Sequence, residues 1–155
     1  ESIAGTLEIR MIEVPGVLPG YAERKIAPGA VVAYAIRERD SGAQLLVAPV
    51  FADFDERLSA IASNSDVVLL DGSFYSDDEL TRDGFMDKTA RYLGHAPIGG
   101  EGGTLSRMSG MGNRRIFVHI NNTNPILDTA SPEAADLLAA GCEVGYDGMR
   151  LLIER

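Results

Sequence analysis

The sequence predicts an α/β layered domain with a mixed sheet, on three observations. First, the opening third reads as strands. Thr6–Val14 begins with apolar–polar alternation, and Ala30–Ile36 and Gln44–Ala48 flank a turn at Asp40-Ser41-Gly42, so Ala30–Ala48 reads as a β-hairpin. Second, from Pro49 onward short apolar runs alternate with helical spacings, the grammar of strand–helix units. Third, 45% of the 155 residues are hydrophobic and 24% charged, enough apolar material for one core.

The elements follow in order. Pro15–Pro28 is rich in proline and glycine and reads as an extended loop. Phe54–Ser63 carries Leu58, Ile61 and Ala62 at helical spacing. Asp66–Leu70 is an apolar run bounded by polar residues, typical of a strand buried on both faces. Ser76 is expected to cap a helix, with Glu79 completing a capping box. Gly84–Thr104 reads as irregular, and Thr104–Met111 as one short helix. Arg115–Val118 is another buried strand. Ser131 and Pro132 open a helix that Gly141 closes. Glu143–Tyr146 and Met149–Ile153 flank Asp147-Gly148, a hairpin signal. At least six strands and three helices are expected, with no linker between domains.

Charge and composition remove several function classes. Lys plus Arg number 14 against 23 Asp plus Glu, a net charge of −9. A nucleic-acid partner needs a basic footprint, and so does a membrane-surface helix. No apolar stretch is long enough to span a bilayer and no signal peptide is evident, so the expected location is the cytoplasm. The lone Cys142 excludes a disulfide framework and a Cys-rich zinc site, and reads as a buried core residue. There is no GxSxG elbow and no Ser/His/Asp set of recognisable spacing. Asp53, Asp55, Glu56, Asp77 and Asp78 read as first-turn acids that complement helix dipoles.

Three segments are left that could carry chemistry. In RIFVHINNTNPILD a buried strand ends at His119, followed by Asn121, Asn122 and Asn124. Ligands of α/β sheets bind beyond the carboxyl ends of strands. The asparagines could orient the histidine or bind a polar substrate; equally, they could form Asx turns beside a histidine bonded to backbone. In LLDGSFYS a strand ends at Asp71, which reads as a turn residue, an acceptor that orients a ligand, or a metal ligand. GHAPIGGEGGT holds His95 among glycines. It lacks the Lys and Ser/Thr of a nucleotide loop, and Glu101 would repel phosphate, so it reads as a loop over a site.

Taken in order, LLVAPVFADFDERL, LLDGSFYSDDEL, KTARYLGHAPIGGEGG, RIFVHINNTNPILD and GCEVGYDGMRL resemble the C-terminal half of the coenzyme PQQ (pyrroloquinoline quinone) synthesis protein B family. The resemblance runs from about Gly5 to Leu152. It implies half of a metallo-β-lactamase-like αββα sandwich: a mixed sheet with helices on one face, residues 1–155 being the C-terminal part of a single domain. It also implies a missing N-terminal half that carries an Asp-His metal motif. In that superfamily a late strand-end histidine joins this pair on the metal, and His119 stands in that position. The strand end at Ala48-Pro49 offers no carboxylate to bridge two metals, which favours one metal over two. The implied activity is iron-dependent hydroxylation of a small or dipeptide tyrosine-derived PQQ precursor, with zinc as the other metal. His95 and Asp71 would then line the pocket as catalytic residues, either supporting the metal ligand or carrying protons, and Asn121, Asn122 and Asn124 would orient His119 or bind substrate. The rival readings are a two-metal hydrolase and a PQQ carrier that uses Arg82, Lys88, Arg91, Arg107, Arg114 and Arg115. A sheet face normally covered by the other half would be exposed. Poor stability and weak iron binding of the isolated segment are expected.

Overall fold

The structure, a computed structural model, describes residues 6–17, 29–111 and 113–153. The expected Pro15–Pro28 loop lies outside the described residues from position 18 onward. Six strands form one sheet in chain order: β1 (Leu7–Glu13), β2 (Val32–Glu38), β3 (Gln44–Ala48), β4 (Val67–Asp71), β5 (Arg114–Val118) and β6 (Cys142–Val144). The β1–β2 and β2–β3 pairs are antiparallel, and β3 through β6 run parallel. Parallel neighbours need crossovers. Helix α1 (Glu56–Ser63) links β3 to β4. Three single turns, α2 (Glu79–Arg82), α3 (Ala90–Leu93) and α4 (Thr104–Arg107), lie between β4 and β5. A 3-10 turn (Pro125–Leu127) and α5 (Pro132–Ala139) lead to β6.

The caps explain where the longer helices start. The Asp55 carboxylate accepts from the Leu58 N–H at 2.7 Å, so α1 begins at Glu56. Ser131 Oγ accepts from the Ala134 N–H at 3.0 Å, with Pro132 at the first helical position, and Gly141 follows the helix with φ 70°.

Strand register sorts the side chains onto two faces. Ile12 pairs Ala33, Leu46 pairs Val68, Ala48 pairs Leu70, and Leu70 pairs Phe117. All of these are buried, and Leu58 and Ala62 of α1 and Leu137 of α5 join them in one core. The helices therefore cover this face, as the resemblance implied. On the opposite face Ile9, Met11 and Tyr34 are exposed, and Ile36, Leu45, Val47 and Leu69 are half-buried. The register Ile9–Ile36, Met11–Tyr34 and Ile36–Leu45 makes this a continuous apolar surface.

Several elements differ from expectation. The Asp147-Gly148 turn forms, with the Met149 N–H donating to the Tyr146 carbonyl at 3.0 Å, but Met149–Ile153 is not a strand. Instead Ile153 lines a cleft with Leu7, Ile36 and Leu45, so apolar contact on the open face draws the tail away from a second ladder. The Ser76–Glu79 capping box is absent. Ser76 Oγ donates to Asp78, and the Glu79 carboxylate accepts from the Tyr75 N–H and the Thr123 hydroxyl. Gly84–Thr104 contains the turn α3, and the helix expected over Thr104–Met111 ends at Arg107. Of the acids expected to serve their own helix starts, Asp77 accepts from the Arg91 N–H of α3, and Asp53 pairs with Arg107 at 2.9 Å. Cys142 is buried, and burial pushes its thiol up. Among the described residues no helix is long and apolar enough to cross a membrane.

Truncating the covered face leaves a cavity, whereas the open face has little to lose. Leu46→Ala is expected to cost about 2–5 kcal/mol in urea denaturation. Met11→Ser should stay within about 0.5 kcal/mol. A large loss from Met11→Ser would show that the open face is packed in solution.

Candidate metal centre

Asp71 ends β4 and lies in register with Val118 of β5, so His119 emerges from the adjacent strand end. Gly72 allows this approach: a Cβ there would sit 2.8 Å from the Val118 carbonyl oxygen. The Gly72 N–H donates to that oxygen at 2.7 Å, tying the two strand ends together. His95 arrives from another direction. Gly94 closes α3 with φ 92°, a conformation suited to glycine, and turns the chain so that His95 follows.

The three side chains meet. Asp71, His95 and His119 offer ligand atoms that all lie within 4.8 Å of one another. Asp71 is fully buried, and its oxygens are well supplied with donors. Oδ2 faces His95 Nδ1 at 2.8 Å and the Phe51 N–H at 3.4 Å; Oδ1 accepts from the Ser73 N–H at 3.0 Å and from Ser73 Oγ at 2.7 Å. His119 Nδ1 is 3.8 Å from Asp71 Oδ1 and 2.9 Å from Ser73 Oγ. The two imidazoles stack with centroids 5.6 Å apart, and Phe74 meets His95 edge-on. A cleft of about 290 Å³ opens in front, lined by Ser73, Phe74, His95, His119, Ile120 and Asn121. Since Asp71 holds the Nδ1 side of His95, the opposite nitrogen, Nε2, is left to act as a donor atom.

Electrostatics follow from this packing. Burial alone would raise the Asp71 carboxyl, but the nearby His119 ring and the hydrogen bonds with His95 and Ser73 outweigh it and hold the group below its ordinary value. The same interaction with Asp71 raises His119, against its partial burial. His119 is the only described non-glycine residue with positive φ, at 55°. Such backbone strain costs about 1–3 kcal/mol and collects at functional sites.

The expected asparagines divide. Asn121 borders the cleft, its Nδ2 donating to Thr123 Oγ1 at 2.6 Å. Asn122 is exposed. Asn124 is buried; its Nδ2 donates to the Gly72 carbonyl and its Oδ1 accepts from the Ile126 N–H. Its amide is thus spent on the strand end and the 3-10 turn, which removes it from the expected substrate contacts. The cations considered for a PQQ carrier do not line this cleft. Arg114 pairs with Glu143, Arg82 with Asp83 and Arg107 with Asp53, and Arg115 donates to the carbonyls of Met108, Ala140 and Gly141. Sequence reasoning missed Ser73, the Thr123–Glu79 bond and Phe74. Only the first had a local signal, a serine two residues after a strand-end aspartate, where it can fold back onto the carboxylate.

No family model matches the chain. Among curated relatives, coenzyme PQQ synthesis protein B of Cupriavidus necator is 37% identical over 150 residues, covering 95% of this chain and 49% of the relative. That of Azoarcus sp. is 40% identical over 137 residues, covering 86% and 45%. The chain belongs to the coenzyme PQQ synthesis protein B family. It spans about half the length of the curated relatives it matches. The crystal structure of Zn²⁺-bound PqqB from Methylobacterium extorquens superposes with a TM-score of 0.87 at 34% identity, covering 96% of this chain and 51% of that one. Unliganded yeast PDE1 shares the fold, with a TM-score of 0.60 at 13% identity.

Two predictions follow from the site. In the metal-free chain the raised His119 contributes stability that is full below its unfolded value, about 6.5, and is lost as pH rises through the higher folded value. The lowered Asp71 contributes stability present above the ordinary aspartate value, about 3.9, and lost as pH falls through the folded one. Asp71→Asn should flatten both slopes in denaturation measured against pH; a profile parallel to wild type would assign them elsewhere. Separately, His119→Gly should be more stable than His119→Ala by about 1 kcal/mol, since glycine accepts a positive φ. Equal stability of the two variants would show that the backbone is unstrained.

Proposed function

We propose that this chain is the C-terminal part of one metallo-β-lactamase-like domain that works in PQQ biosynthesis, hydroxylating a tyrosine-derived precursor at a single iron ion. The observation that carries this reading is the meeting of Asp71, His95 and His119 at adjacent strand ends in front of a cleft. Two imidazoles and a carboxylate, His119 with an Asp-His pair from the N-terminal half, would suit a non-haem ferrous ion, and the same donors would suit zinc. His119 would be the metal ligand from this half, through Nε2, with the remaining ligands from the N-terminal half. A bound ferrous ion would supply open coordination positions for substrate and O₂; putting one oxygen atom on the ring also takes two electrons and two protons from an external reductant, the second oxygen atom leaving as water.

The chain's own residues have defined tasks. Asp71 orients the imidazoles and balances positive charge near them. His95 holds its Nδ1 proton against Asp71 and offers Nε2 to take up or return a proton at the cleft. Asn121 and Asn122 present amides to a polar precursor. The open sheet face with Ile9, Met11 and Tyr34 receives the other half of the sandwich. Parallel strands are ordinarily covered on both faces, and Leu45, Val47 and Leu69 of the parallel strands β3 and β4 stay half-open on this one, which supports this assignment. The Zn²⁺-bound relative favours one second reading, a zinc centre that activates water for hydrolysis.

The test uses the full-length protein containing this sequence. Reconstituted anaerobically with Fe²⁺ and then given O₂, a two-electron reductant such as ascorbate and a tyrosine-containing dipeptide, it should consume O₂ and add one oxygen atom to the ring, as read by mass spectrometry. His119→Ala should abolish stoichiometric iron. Unchanged iron content in that variant would remove His119 from the site. Cleavage without O₂ consumption would replace the oxygenase reading with the hydrolase.

A further inference from the structure

We propose that Ser73 is the positioning residue of this centre: it fixes both the ring tautomer and the left-handed backbone of His119, so that the His119 Nε2 lone pair is presented to the cleft. The inference deepens the metal reading above and rests on it only for what Nε2 receives. The proton arrangement itself is a property of the metal-free chain.

The argument is a count of donors. Ser73 is buried, and its Oγ has three polar neighbours: Asp71 Oδ1 at 2.7 Å, the His119 carbonyl oxygen at 3.0 Å and His119 Nδ1 at 2.9 Å. The hydroxyl has a single proton. Both oxygens can only accept, and the contact to the ionised carboxylate is the shortest, as a charge-assisted bond should be. The hydroxyl proton is therefore directed at the oxygens. Nδ1 must then supply the proton for its own contact, so His119 is protonated at Nδ1 and bare at Nε2.

One side chain thus transmits the Asp71 charge to both parts of His119. His95 meets the carboxylate directly, whereas the His119 ring lies 3.8 Å from it, too far for a hydrogen bond without the serine between. The bond to the His119 carbonyl braces the one described non-glycine residue with a left-handed φ. It acts on the residue that directly follows β5, so ring orientation and the path out of the strand are set together. The arrangement also rules out Ser73 as a nucleophile. It stands between the acid and the histidine rather than beyond the histidine, and its hydroxyl is turned into the protein.

The experiment reads the tautomer in the metal-free full-length protein by long-range ¹H–¹⁵N correlation on ¹⁵N-histidine-labelled material, at a pH where the His119 ring is neutral. Wild type should show His119 protonated at Nδ1. Ser73→Ala and Ser73→Gly should lose that single tautomer, and Ser73→Thr, which keeps the hydroxyl, should restore it. Zn²⁺ affinity of the full-length protein should fall about 10–100-fold in the hydroxyl-free variants and recover in the threonine variant. Wild-type His119 protonated at Nε2 would overturn the proposal, whether or not any variant folds; so would an unchanged Nδ1 tautomer in Ser73→Ala. A Ser73-dependent tautomer in a full-length protein that binds no metal would keep the proposal and reject the metal reading instead.

Discussion

Much of this structure depends on keeping one carboxylate ionised where no water reaches it. A buried charge is tolerated only when it is paired and hydrogen-bonded. Asp71 meets that condition by drawing donors from three parts of the chain: the Phe51 backbone after β3, Ser73 just beyond β4, and His95 after α3. Each donor is also a constraint on the path of its segment. The loop after β3 must pass close to β4, and the glycine-rich connection must come back to the same strand end. The functional cluster and the tertiary connections of this edge are therefore one set of interactions.

The position of that carboxylate relates the site to the sheet. Strand alternation puts Asp71 on the same face as Leu69, opposite the helices. That face continues through Leu45 and Ile36 to Ile9 and Met11, and its residues are apolar yet partly open. The cleft and the open face are thus adjacent, and a second sheet packed on this face would bring its own residues to the cleft.

How much could be read from the sequence depends on how local each signal was. The strands, the α1 region and α5 with its Ser131 cap and Gly141 were legible, because apolar periodicity and caps act within a few residues. The C-terminal hairpin was not. Asp147-Gly148 encodes a turn, but Ile153 lies in an apolar cleft with Leu7, Ile36 and Leu45, each over a hundred positions away. Glu79 looked like a capping residue because the box is a local pattern, yet Tyr75 and Thr123 hold its carboxylate. Asn124 looked available to a ligand because nothing nearby in sequence says that the Gly72 carbonyl lies against it.

By itself the sequence determined the α/β class, the acidity that argues against nucleic acid, and His119 and Asp71 as strand-end residues. Its ordered segments also carried the resemblance to the family. Only the tertiary structure decided that His95 joins them, that Asn124 is consumed inside the fold, and that Ser73 stands between Asp71 and His119. The physical reason is range. Periodicity, caps and turns are written in neighbouring residues, whereas a hydrogen bond between positions 71 and 95, or 73 and 119, exists only once parallel strands and their crossovers have brought the two ends together.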